Sequence, residues 1–96
     1  MADERFKVTA RVSSSDLRAI QPVFMRLIAN GSVRKAGDDL VVEAEMEGGS
    51  ARELNRSILS ALRRAEKRTR IRAEWTSDDG KTYRFFDYVL KKTFEK

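Results

Sequence analysis

Phe6, Val8, Ala10 and Val12 alternate with Lys7, Thr9 and Arg11. This period of two most limits what the chain can become. Such a run sorts apolar from polar side chains only when it is extended. The pattern recurs. Leu40, Val42, Ala44 and Met46 alternate with Val41, Glu43, Glu45 and Glu47, and Ile71, Ala73 and Trp75 alternate with Arg70, Arg72, Glu74 and Thr76. Three half-buried strands call for an antiparallel sheet with one face covered and one face wet.

The cover comes from two segments of helical period. Ser13-Ser14-Ser15-Asp16 offers N-cap candidates ahead of Leu17, Ile20, Phe24, Leu27 and Ile28. Pro22 interrupts this stripe, so the expectation is a kink, or a short turn over 15–20 with a helix starting near Pro22. Asn30-Gly31 reads as the helix stop. The second helix opens with the capping box Ser50-Ala51-Arg52-Glu53. Its stripe is Leu54, Ile58, Ala61, Leu62 and Ala65, and it is expected to run to about Arg68.

Val33 to Ala36 forms a short strand, with turn chemistry at Gly37-Asp38-Asp39. Ser77-Asp78-Asp79-Gly80 is a hairpin loop, and Thr82 to Phe86 returns antiparallel. Asp87 to Leu90 either extends that strand, the reading adopted here, or begins a terminal helix on Phe86, Val89, Leu90, Thr93 and Phe94. The expected fold is one α+β domain over residues 1–96. It is a two-layer α/β sandwich in the ferredoxin-like split βαβ order, β-α-β-β-α-β, with an extra C-terminal edge strand or short helix. The sheet should hold four or five strands.

Composition narrows the chemistry. Apolar residues make up 41% of the chain and charged residues 36%, values that suit a folded domain. A chain of this length buries roughly 60–70% of its unfolded surface and can hold one modest core. There is no Cys and no His, so disulfides and Cys/His metal sites are excluded. No catalytic, cofactor-binding or metal-binding residue is assigned, no cofactor is expected, and the expectation is a protein that is not an enzyme. Met1-Ala2-Asp3-Glu4-Arg5 is polar, and no apolar run approaches the ~18–20 residues that span a bilayer. These point to a cytoplasmic protein without a membrane partner.

The net charge of +5 is unevenly placed. Residues 63–72 hold Arg63, Arg64, Lys67, Arg68, Arg70 and Arg72 against Glu66 alone. Residues 38–47 hold Asp38, Asp39, Glu43, Glu45 and Glu47 with no cation. Such asymmetry speaks to partners. At 100° per residue, Arg52, Arg56, Arg63 and Lys67 fall opposite the apolar stripe of the second helix, flanked by Arg64 and Arg68. A row of guanidinium groups suits contact with phosphates. These six residues are the candidate nucleic-acid site, with RNA preferred over DNA. The outward residues of the three alternating strands include no aromatic, which argues against base stacking on the sheet.

Six of the eight aromatics lie at Trp75 or beyond. Phe85 and Phe86 point to opposite faces, so part of this surplus is expected to serve an interface. Trp75, Phe86, Tyr88 and Phe94 are its candidates, in a homodimer or against another protein.

Residues 5–68 resemble the small dimer-forming subunit of the KEOPS tRNA-modification complex. The shared features are the strand Leu40 to Met46, the small residues Gly48-Gly49-Ser50, and Arg52 followed by Ser57-Ile58-Leu59. Arg56 stands where the family has Asn, Ile58 replaces its aromatic, and residues 70–96 have no counterpart. The resemblance implies homodimerisation and a non-catalytic scaffold role near tRNA.

Overall fold

A computed structural model describes residues 4–28 and 30–94, with side chains up to Lys91. In chain order the elements are β1 (Glu4–Ser13), α1 (Leu17–Leu27), β2 (Asn30–Ala36), β3 (Asp39–Gly48), α2 (Ala51–Ala65), β4 (Arg70–Ser77), β5 (Thr82–Phe86) and β6 (Val89–Phe94). The strands form one antiparallel sheet in the order β2-β3-β1-β4-β5-β6. The central strand β1 pairs over its whole length with β3, and Val8 sits between Ala44 and Trp75. The alternation at 6–12, 40–46 and 70–76 is therefore one inner and one outer face. The inner residues join α1 and α2 in a single core that includes Val12, Phe24, Leu40, Leu59, Leu62, Ile71 and Trp75. Among the described residues, no helix is long and apolar enough to cross a membrane.

Helix α1 starts where Asp16 Oδ1 accepts from the Arg18 and Ala19 amides. It is one helix with Pro22 inside it, not the short turn over 15–20 followed by a restart near Pro22 that was one of the two expectations. A proline inside a helix costs about 3 kcal/mol. Burial of Ile20, Val23 and Phe24, at about 1.5–3 kcal/mol each, outweighs it.

Asn30-Gly31 opens β2 instead of stopping the helix. A Cβ on Gly31 would lie 2.3 Å from the Glu43 carbonyl oxygen and 2.6 Å from Ala44 Cβ. Glycine is what lets β2 approach β3 there.

Ser50 Oγ accepts from the Glu53 amide and caps α2. The helix ends at Ala65, three residues short of the expected Arg68. Glu66 leaves the helix with φ −149° and ψ 107°. Its carbonyl accepts from Thr69 N (3.1 Å) and Thr69 Oγ1 (2.7 Å), and its carboxylate accepts from Arg68 N at 3.0 Å. This local network replaces the last helical turn.

The expected strand through residue 90 is also corrected. Asp87 takes a positive φ of 55°, Asp87-Tyr88 forms a two-residue turn, and β6 returns antiparallel to β5 with an irregularity at Arg84/Phe85. Aspartate tolerates this left-handed conformation better than most residues. Among the described residues the sheet consequently has six strands.

Candidate nucleic-acid interface

Helix α2 buries Ala51, Asn55, Ile58, Leu59 and Leu62 against the sheet, which turns Arg52 and Arg56 outward. Both are exposed, as are Arg64 at the helix end and Lys67 and Arg68 in the turn beyond it. Among the described residues, no carboxylate forms an ion pair with the side chains of these five; the Glu66 carboxylate bonds the Arg68 amide instead. Elsewhere the protein does pair its arginines: Arg5 with Glu47 at 3.2 Å, Arg11 with Asp39 at 2.7 Å and Arg84 with Glu74 at 2.9 Å. The Glu47 carboxylate, by its hydrogen bond and its charge, also raises the Arg5 pKa.

Arg63, the sixth candidate, has a different environment. Its Nε donates to the Thr69 carbonyl at 3.0 Å, its Nη2 lies 3.6 Å from Asp87 Oδ2, and its guanidinium covers the Tyr88 ring at 5.1 Å. Tyr88 also shares a 3.3 Å hydrogen bond with Ser60. The β5–β6 turn thus lies against α2 at mid-ridge. The cations form two groups, Arg52 and Arg56 toward the N-terminus and Arg64, Lys67 and Arg68 toward the C-terminus, with Arg63 drawn into the fold between them.

The turn is anchored from beneath. Asn55, 1% exposed, donates from Nδ2 to the Asp87 carbonyl at 2.7 Å and accepts from Trp75 Nε1 at 3.2 Å. Asp87 Oδ1 accepts from Ile71 N at 3.0 Å, and Asp87 Oδ2 lies 3.7 Å from Arg70 Nε. One carboxylate therefore joins α2, β4 and the β5–β6 turn.

The four interface candidates separate. Trp75 is fully buried, edge-on to Phe6 with ring centroids 6.3 Å apart, and has no surface to offer. Tyr88 is 42% exposed, next to Val89 at 56%. The side chain of Phe94 lies outside the described residues. Phe86 pairs with Arg72 across β5 and β4 and so lies on the outer face of the sheet, half-buried under the guanidiniums of Arg72 (5.1 Å) and Arg70 (5.8 Å). An aromatic on that face was not anticipated. Extending the β4–β5 hairpin register from Thr76↔Thr82 to Arg72↔Phe86 is the step that locates it.

Among the described residues, no group of three His, Cys, Asp or Glu side chains is placed to hold a metal ion. The dominant chemistry of this end of the molecule is cationic. Residues 63–72 pass from the end of α2 around the corner onto the outer sheet face. No protein family, curated protein or solved structure matches the chain.

Proposed function

We propose that this protein is a non-enzymatic RNA-binding module that takes the phosphate backbone on the exposed side of α2. One observation carries the reading: Arg52, Arg56, Arg64, Lys67 and Arg68 are exposed and no described carboxylate neutralises them. Unpaired cations along one shoulder favour phosphate contact, which provides affinity with little sequence information. RNA is preferred over DNA because the β5–β6 turn lies along α2, with Tyr88 bonded to Ser60 and stacked under Arg63. The helix therefore does not stand free to enter a B-DNA major groove about 12 Å wide, whereas the wide, shallow minor groove of A-form RNA needs no such insertion. The fold is read as a ferredoxin-like split βαβ over the first six elements, extended by the β5–β6 hairpin.

The test is a titration of a hairpin RNA with wild type and with the triple variant Arg56→Glu/Arg64→Glu/Lys67→Glu. Arg63 is left intact because it supports the fold. The variant should bind at least about tenfold more weakly, in line with the loss of several phosphate contacts. Equal affinity would exclude α2 as the site.

The exposed pair Tyr88 and Val89, at the start of the edge strand β6, favours a second reading: a homodimer or interaction subunit that assembles through the C-terminal hairpin. Homodimerisation and a scaffold role near tRNA are also what the KEOPS resemblance implies.

A further inference from the structure

The outer face of the sheet carries a groove of about 530 Å³. Thr9, Arg11, Val41, Arg72, Phe86 and Lys91 line it, together with Arg84 and Glu74, which pair with each other. A second depression of about 290 Å³ continues it toward Ser13 and Arg70 and shares Arg11, Arg72 and Phe86. Both volumes are of the order of small-ligand sites, about 300–1,000 Å³.

Two features of the lining point to an anion. Arg11 and Arg72 stand directly opposite each other on β1 and β4. Like charges in that position repel. Asp39 engages Arg11, and no described carboxylate lies within ion-pair distance of Arg72. Arg72 instead rests on the Phe86 ring. A guanidinium held against an aromatic ring has already lost much of its rotamer freedom, so less entropy is lost when it binds. Its outer plane remains available to stack on a base, and its N–H groups to bond a phosphate oxygen.

We infer that this groove holds a single-stranded RNA segment, with a phosphate between Arg11 and Arg72 and a base stacked on the Arg72–Phe86 pair. The inference rests on the RNA-binding reading and adds a second contact surface to it. Arg70 marks the join, because residues 63–72 carry the basic surface from α2 to this face. Structured RNA lies on the helix shoulder and a single strand enters the sheet groove. Charge complementarity selects the occupant: apart from the Arg84–Glu74 pair, the charged residues of the groove are Arg11, Arg72 and Lys91. Although Asp39 in the adjoining depression offsets Arg11, Arg70 and Arg72 leave the joined surface net cationic.

The test uses the full chain with a fluorescent twelve-nucleotide oligouridine and, separately, a hairpin RNA. Arg72→Glu places a carboxylate opposite Arg11 and so removes the like-charge contact without opening the core. It should weaken oligouridine binding at least tenfold and hairpin binding less than threefold. Phe86→Leu, which keeps apolar bulk and removes the ring, should weaken oligouridine binding several-fold. Arg72→Gln serves as a milder check and should fall between Arg72→Glu and wild type. The triple α2 variant should show the opposite preference, losing the hairpin and retaining the oligouridine. If Arg72→Glu and Phe86→Leu bind oligouridine like wild type, the groove is not the site, whatever the hairpin result. If wild type binds the hairpin but not oligouridine, the groove inference fails and the α2 reading stands. If wild type binds neither RNA, both fail.

Discussion

Asn55 and Asp87 are 32 residues apart, yet the Asn55 carboxamide donates to the Asp87 carbonyl at 2.7 Å. That bond ties the middle of α2 to the β5–β6 turn. The other end of the amide accepts from the buried Trp75 indole, so one side chain satisfies groups from two other elements. Asn55→Ala leaves both without this partner. At about 1–3 kcal/mol for each unsatisfied buried group, the expected loss is about 2–4 kcal/mol by urea denaturation. A loss below about 1 kcal/mol would mean that the hub does not hold the turn.

At Asp87, two substitutions should differ. Asp87→Asn keeps an acceptor for Ile71 N and tolerates the positive φ. It gives up only partly exposed ion pairs, worth about 0–1 kcal/mol. Asp87→Ala loses the acceptor and puts a methyl group where the left-handed conformation costs about 1–2 kcal/mol. Thermal melts should place the Ala variant at least about 1 kcal/mol below the Asn variant. Equal melts would assign the role of Asp87 to its charge.

Gly31→Ala tests the close approach of β2 to β3. The added methyl meets backbone, so the strand must shift, at about 1–3 kcal/mol for overpacking. Hydrogen exchange should accelerate at the β2–β3 amides and little at β1–β4. Unchanged exchange would show that the edge strand adapts freely.

The β4–β5 loop should respond to acid. Ser77 Oγ and the Lys81 amide donate to the Asp79 carboxylate, and these bonds, the Ser77 bond first, lower its pKa. A lowered folded pKa stabilises the loop above the unfolded pKa, and that stability is lost as pH falls through the folded value. In an NMR titration, the Gly80 and Lys81 amides should shift with the Asp79 carboxyl, at a midpoint below the ordinary aspartate range. Asp79→Asn should abolish the transition. A midpoint at or above the ordinary value would contradict the bonding.

Much of the fold was legible in residues 6–12, 40–46 and 70–76, because period two with one buried face leaves a single consistent register. Other features depend on contacts distant in sequence. Pro22 is carried by core burial, Gly31 by the carbonyl of Glu43, and the end of α2 by the Glu66–Thr69 network. The helical wheel turned Arg52 and Arg56 outward correctly. It could not show that Tyr88, 25 positions after Arg63, would come to lie under that guanidinium, nor that Phe86 would reach the outer face.

The interaction-subunit reading predicts that sedimentation in the micromolar range gives a dimer, and that Tyr88→Ser/Val89→Ser shifts it toward monomer. A monomer at every concentration would set the homodimer aside.

The most direct test of RNA binding on α2 is the salt dependence of hairpin-RNA affinity, measured by fluorescence anisotropy on wild type and on Arg56→Glu/Arg64→Glu/Lys67→Glu. With about four to six phosphate contacts, wild type should show a log–log slope of roughly −3 to −5. The triple variant should bind more weakly, with a slope shallower by about 2–3. The same affinity and the same slope in both proteins would contradict the proposal.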